Sequence, residues 1–172
     1  MLKRILLAIF PLTLLLLTSC GQKAPVKDSP PFLQEVEYAV GIKAEGLKTK
    51  GLFCYKSNGT FTFTFQDEST PINGLKETVS EDEILTEYGG IQWRSDEVTT
   101  TFSRVCRILS NFENASLVAK ERTTFRGYDA IHLTYTLDEG TLHLWKKAED
   151  QTTLSIRREA ESLPFTLSFI TE

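Results

Sequence analysis

Two histidines and three cysteines carry the strongest nucleophilic or metal-binding chemistry in this chain of 172 residues, and their spacing decides what that chemistry can be. His132 lies between Ile131 and Leu133, and His143 between Leu142 and Leu144. Such alternation predicts strands with both imidazoles facing outward into solvent, and with no third histidine and no HExxH spacing a zinc site has no support. Cys54 and Cys106 have no CxxC partner, which removes a redox dithiol and a zinc knuckle. Each has apolar neighbours, Phe53 and Tyr55 for one, Val105 and Leu109 for the other. They are buried thiols, or a disulfide if the fold of an exported chain brings them together. No GxSxG elbow surrounds a serine, and Gly89-Gly90 runs into Ile91 rather than the lysine and hydroxyl of a phosphate loop. The carboxylates Glu35 and Glu37, and Glu81-Asp82-Glu83, lack the glycine and terminal glutamate of a calcium loop and read as solvated strand ends. The expectation is a protein that is not an enzyme, without cofactor or metal.

Cys20 differs because of what precedes it. Lys3 and Arg4 lead into a thirteen-residue apolar run, Ile5 to Leu17, which closes on Leu17-Thr18-Ser19-Cys20. A basic start, an apolar centre and small residues before the cut make a secretory signal peptide. The run is too short to span a membrane, which takes about 20 residues, and Pro11 interrupts it. Ending on cysteine, it resembles the lipobox of bacterial lipoproteins. That resemblance implies cleavage after residue 19 and a diacylglyceryl group on the Cys20 thiol, with further acylation, palmitate included, at the new N-terminus. Two or three chains anchor stably, because each buried CH₂ contributes about 0.8 kcal/mol. The protein is then held at the cell membrane or outer membrane of a bacterium, outside the cytoplasm.

Residues 20–33 follow as the lipidated cysteine and a tether, with three of the six prolines between Gly21 and Pro31. Residues 34–172 form one domain, large enough to bury close to about 70% of its unfolded surface. Without residues 1–19, 17 basic residues stand against 23 acidic ones, a formal charge of −6. That balance excludes a nucleic-acid binder, which needs a basic stripe, and leaves the acyl anchor as the main link to the membrane.

Period-two alternation recurs along the domain and predicts strands with one buried face. Val36, Tyr38, Val40 and Ile42 share one face, with Glu35, Glu37 and Lys43 on the other; Phe61, Phe63 and Phe65 alternate with Thr62 and Thr64. Ile131-Leu133-Tyr135, Leu142-Leu144, Leu154-Ile156 and Phe165-Leu167-Phe169 continue the pattern. Asn58-Gly59 predicts a tight hairpin, and Asp138-Glu139-Gly140 and Lys147 to Asp150 predict the turns of a meander. Ser80 to Glu83 has the form of a capping box, yet Gly89-Gly90 favours a bulged strand through Ile91 and Trp93.

Between Asp96 and Glu113 the period changes. Val98, Phe102, Val105, Leu109 and Phe112 recur in steps of three and four, which predicts an amphipathic helix with Asp96 as its N-cap. An antiparallel sheet of eight to ten strands must cover its apolar face, and one such helix suffices. The expected fold is mainly β (α+β): a curved antiparallel sheet or half-barrel with one helix over its concave face. This order of elements, with Tyr88-Gly89-Gly90 ahead of the helix, resembles the LolA and LolB type of half-barrel lipoprotein carriers. The resemblance implies a cavity between sheet and helix that holds acyl chains.

Eleven phenylalanines are available to line such a cavity or to fill a core. The lining candidates on the first strands are Tyr38, Val40, Phe61, Phe63 and Phe65. On the helix and the later strands they are Phe102, Leu142, Leu144, Phe165 and Phe169. Two functions stay open: an envelope lipoprotein binding an acyl chain or other apolar ligand, and a structural module with a filled core that recruits an envelope protein.

Overall fold

The computed structural model describes residue 33 and residues 35–170. The signal peptide, Cys20 and the tether before Leu33 lie outside the described residues. Eleven strands form one antiparallel sheet: β1 (Glu37–Ala44), β2 (Leu47–Tyr55), β3 (Phe61–Phe65), β4 (Lys76–Val79), β5 (Ile84–Tyr88), β6 (Ile91–Ser95), β7 (Ser116–Phe125), β8 (Tyr128–Thr136), β9 (Thr141–Lys147), β10 (Thr153–Glu159) and β11 (Phe165–Phe169). Their order across the sheet is β6-β5-β4-β3-β2-β1-β11-β10-β9-β8-β7, and the sheet is open. The chain therefore steps outward from β1 to β6, crosses to the opposite edge, and steps back from β7 to dock β11 against β1.

That crossing forces the curvature. Ten strand steps would separate the edges of a flat sheet by roughly 48 Å. The connection contains one helix, α1 (Thr101–Ser110), whose ten residues cover about 15 Å, then a short 3₁₀ turn, Asn111–Asn114. The 3₁₀ turn adds about 8 Å, and the remaining residues, 96–100 and 115, add roughly 20 Å even when fully extended. Only a sheet that curls toward its helix lets both edges be reached, and the helix then lies across the concave face.

Alternation decides which side chains meet it. Strand β3 buries Phe61, Phe63 and Phe65 and leaves Thr62 and Thr64 half exposed; β11 treats Phe165, Leu167 and Phe169 the same way. The core joins these rows to Val40 and Ile42 of β1, Phe53 and Tyr55 of β2, and Phe102, Val105, Cys106 and Leu109 of the helix. Leu33, in the span assigned to the tether, is also buried there. Gly51 belongs to this face for lack of space: a Cβ would lie 2.1 Å from the carbonyl oxygen of Thr64 and 2.8 Å from the Phe63 ring.

Several local expectations are corrected. The helix starts five residues after Asp96, because Thr100 is its N-cap: the Thr100 hydroxyl accepts from the Ser103 N–H, and the Ser103 hydroxyl accepts from the Thr100 N–H. That reciprocal pair satisfies two amide donors at once, which an isolated Asp96 does not. Val98 consequently lies before the helix and is exposed. Gly89 and Gly90 do not bulge a strand but turn a hairpin, with φ of 58° and 81°, the left-handed pair that a two-residue connection needs. At Ser80 the hydroxyl accepts from the Glu83 N–H, as in a capping box, inside the turn between β4 and β5. The described residues form eleven strands, one more than the upper end of the expected eight to ten.

Candidate functional site

The helix and the face beneath it form an extended apolar surface assembled from distant parts of the chain. Phe102 enters between two strands, its ring centroid 6.4 Å from Phe53 and 5.3 Å from Phe63. Phe53 in turn lies 6.3 Å from Phe169, edge to face, and Tyr38 lies 5.1 Å from Phe169. At the other end of the crossing, Phe112 meets Tyr135 of β8 at 4.6 Å. Such geometries suit the ring quadrupole, so the aromatic row interlocks rather than merely fills.

Of the residues expected to line a cavity, Val40, Phe61, Phe63, Phe65, Phe102, Leu142, Leu144, Phe165 and Phe169 are all buried, none more than 4% exposed. Tyr38 is half-buried and packs against them. The structure brings all ten onto one face. The lining candidates left out Phe53, together with Ile156 and Leu167 of the inward rows and Val105 and Leu109 of the helix stripe, all of which join the same core. Phe53 and Tyr55 continue the alternation of β2 and could have been found from it.

One buried acid was also overlooked. Glu77, in the four-residue strand β4, is 2% exposed and accepts a hydrogen bond from the hydroxyl of Thr100 at the N-cap. Burial raises its pKa, and the Thr100 bond opposes the rise. The Cys106 thiol is pushed well up by burial and then by Glu77. Outside, Arg104 pairs with Glu45 on the β1–β2 turn at 2.6 Å. The helix is thus fastened to the sheet by a polar tie at its N-cap, a surface ion pair and an apolar face.

The concave face is wider than its cover. The cross-strand row Phe53, Phe63, Glu77, Thr86 continues to Trp93. Beside Trp93, Tyr88 pairs with Ile91 on the same face. Trp93 is 50% exposed, Ile91 58% and Tyr88 41%. At the far edge, the same face of β7 carries Lys120 and Arg122, opposite Leu133 and Ile131.

The remaining chemistry-bearing residues lie elsewhere. Cys54 pairs across strands with Glu37 and Thr62 on the convex face, whereas Cys106 is buried under the helix, so the sheet separates two free thiols. His132 and His143 do face outward, but they pack against neighbours that leave their side chains only 16% and 19% exposed. His132 Nδ1 lies 2.7 Å from Glu121 Oε1 and its Nε2 lies 3.0 Å from His143 Nδ1, while the His132 ring stacks on Trp145 at 4.6 Å. Diagonal placement on β8 and β9 lets the imidazoles meet, and desolvation lowers the His143 pKa. Among the described residues no group of three or more His, Cys, Asp or Glu is placed to hold a metal ion.

An open antiparallel sheet curled round one crossing helix defines a half-barrel. Among solved structures, the fold is similar to the lipoprotein LppX of Mycobacterium tuberculosis, with 12% identity, a TM-score of 0.45, and 78% of this chain and 84% of that one covered. It is also similar to LprF of Mycobacterium bovis, with 10% identity, a TM-score of 0.37, and coverages of 78% and 84%. A LolA superfamily protein from Nitrosomonas europaea has 9% identity and a TM-score of 0.39, with 84% of this chain and 89% of that one covered. No protein-family model and no curated protein matches the sequence.

Proposed function

We propose that this chain is a lipoprotein of the bacterial cell envelope, anchored through acyl groups on Cys20, whose half-barrel binds an acyl chain or similar apolar ligand without catalysing a reaction. One observation carries the reading: beyond Glu77 and Thr86 the concave face ends in three apolar side chains, Tyr88, Ile91 and Trp93, exposed at the β6 edge. An apolar chain laid on these three residues removes their surface from water and continues inward wherever the helix gives way. The signal-like N-terminus supports the anchor, and mass spectrometry of the exported protein tests it: a diacylglyceryl modification on Cys20 is expected, and an unmodified N-terminus overturns the anchoring.

Titration of the mature chain with a fluorescent fatty acid tests the ligand. Saturable uptake is expected; none removes the binding role. A second reading is a partner-recruiting module with a filled core, favoured because nine of the ten expected lining residues are buried in mutual packing and because β6 is exposed at every position. A free edge of that kind offers backbone groups to another strand. Crosslinking in intact cells to one discrete protein, together with absent fatty-acid uptake, would decide for it.

A further inference from the structure

At the lip of the half-barrel the β1–β2 turn and the β10–β11 connection flank a groove of about 550 Å³. Its charged lining is Lys43, Lys48, Arg157 and Arg158 against Glu45 and Glu159, an excess of cations in a chain whose net charge is negative. Both carboxylates are already engaged. Glu45 pairs with Arg104 at 2.6 Å, and Glu159 with Arg157 at 2.9 Å. Arg158, 4% exposed, spends its terminal nitrogens on the carbonyls of Ser162, Leu163 and Glu139, and its Nε–H is buried with no acceptor. Lys43 and Lys48 have no ion pair among the described residues, yet register sets them directly opposite one another on β1 and β2.

Like charges placed directly across an antiparallel pair are destabilising. Here the repulsion is part of a row. Lys43 also pairs with Thr166, and Thr166 with Arg157, so Lys48, Lys43, Thr166 and Arg157 lie side by side on four adjacent strands and on one face. Two ammonium groups, a hydroxyl and a guanidinium together offer more donors than a carboxylate can accept but suit the several oxygens of a phosphate, for which lysine acts as a point charge and arginine as a fork.

We propose that this groove binds a phosphate group, held chiefly by Lys43 and Lys48 with Thr166 and Arg157 beside them. The row that carries the assignment lies on the opposite face of the sheet from the helix, although the groove's wall also includes Phe165 and Arg158 of the helix face. A phosphate in the groove converts the Lys43–Lys48 repulsion into two attractions. The source is the headgroup of a phospholipid or a free phosphate, and the experiment separates the two.

The full chain in neutral detergent micelles is heated in inorganic phosphate and in chloride of equal ionic strength, then in micelles containing phosphatidic acid or phosphatidylcholine. A saturable rise in Tm with inorganic phosphate identifies a free phosphate site; a rise only with phosphatidic acid identifies a headgroup site. Lys43→Gln and Lys48→Gln should each weaken that response by about tenfold or more, the effect of losing a charged hydrogen bond. Each should keep or raise the Tm measured in chloride, because the repulsion is gone. Lys76→Gln, which alters a lysine already paired with Glu87, should respond like the unaltered chain. Equal Tm in all four media, or an unchanged response in both lysine variants, overturns the proposal. If one variant fails to fold, the other decides.

Discussion

The two edges of this sheet are built alike and finished differently. At one, β5 and β6 turn through Gly89-Gly90 and present Tyr88, Ile91 and Trp93 on the concave face. At the other, β7 and β8 turn through Arg126-Gly127, and the same face carries Lys120, Arg122 and Asp129, the last two ion-paired. Both edges lie past the reach of the helix, so both should be polar if exposure alone set their composition. The β7 edge obeys only near its turn, for at its start Leu117 and Val118 are exposed. Charged edges also resist unwanted strand pairing, a protection β6 has only through Arg94 on its convex side. Beside their turns the two edges thus differ, apolar at β6 and charged at β7, and that contrast is what a test of the proposed ligand site can use.

The covered region is where stability concentrates, so the largest effects belong there. Phe102→Ala removes the ring that contacts both Phe53 and Phe63, in a site with no exposed surface to relax into. Large-to-small changes of this kind cost about 3–5 kcal/mol, which urea unfolding monitored by tryptophan fluorescence will show. Gly51→Ala tests the same packing from the other direction. Its new methyl group must displace the Thr64 carbonyl or the Phe63 ring, and overpacking of this sort costs about 1–3 kcal/mol. An unchanged midpoint in either variant would mean that the helix-covered face is looser than its interlocked rings imply.

Glu77 lies where the covered region begins to open. Its pKa is raised in the folded state, so the fold prefers the protonated form. Stability from this group is therefore greatest below the unfolded carboxylate pKa and is lost as pH rises through the folded value, with no further change above it. Each unit of upward shift costs about 1.4 kcal/mol at neutral pH. Glu77→Gln keeps an oxygen to accept from Thr100 without the charge. The variant should match the unaltered chain at low pH and exceed it in stability increasingly as pH rises from about 4.5. Parallel pH profiles for the two proteins would show that the buried carboxylate does not resist ionisation.

How much of this was readable in the sequence follows from periodicity. Strands β3 and β11 alternate without exception, and that rule placed the nine strand candidates on one face, while the helical spacing turned Phe102 toward them. The site's polar tie was not readable, because Glu77 sits in a strand of four residues, too short to show a period, and its partner Thr100 is distant in sequence. The histidine pair failed for a related reason: alternation gives the face of a side chain but not its diagonal neighbour on the next strand. The helix start was misplaced because both Asp96 and Thr100 are good caps, and only the reciprocal Ser103 bond chooses between them.

The sharpest use of the contrast is the change with the smallest effect on stability. Trp93→Ser alters a half-exposed ring at the end of β6, where no core packing depends on it. Surface substitutions of this sort stay within about 0.5 kcal/mol, so the unfolding midpoint should barely move. Arg122→Ser at the polar edge should be as mild, since the ion pair it breaks is exposed on both sides. The two variants part in fatty-acid uptake. If the apolar edge is where a chain enters, Trp93→Ser weakens uptake and Arg122→Ser leaves it intact, although both lie on the same face at equivalent distances from the centre of the sheet. Equal uptake in both, with saturable binding retained, would place the entry elsewhere and make the exposed tryptophan a feature of strand pairing with another protein.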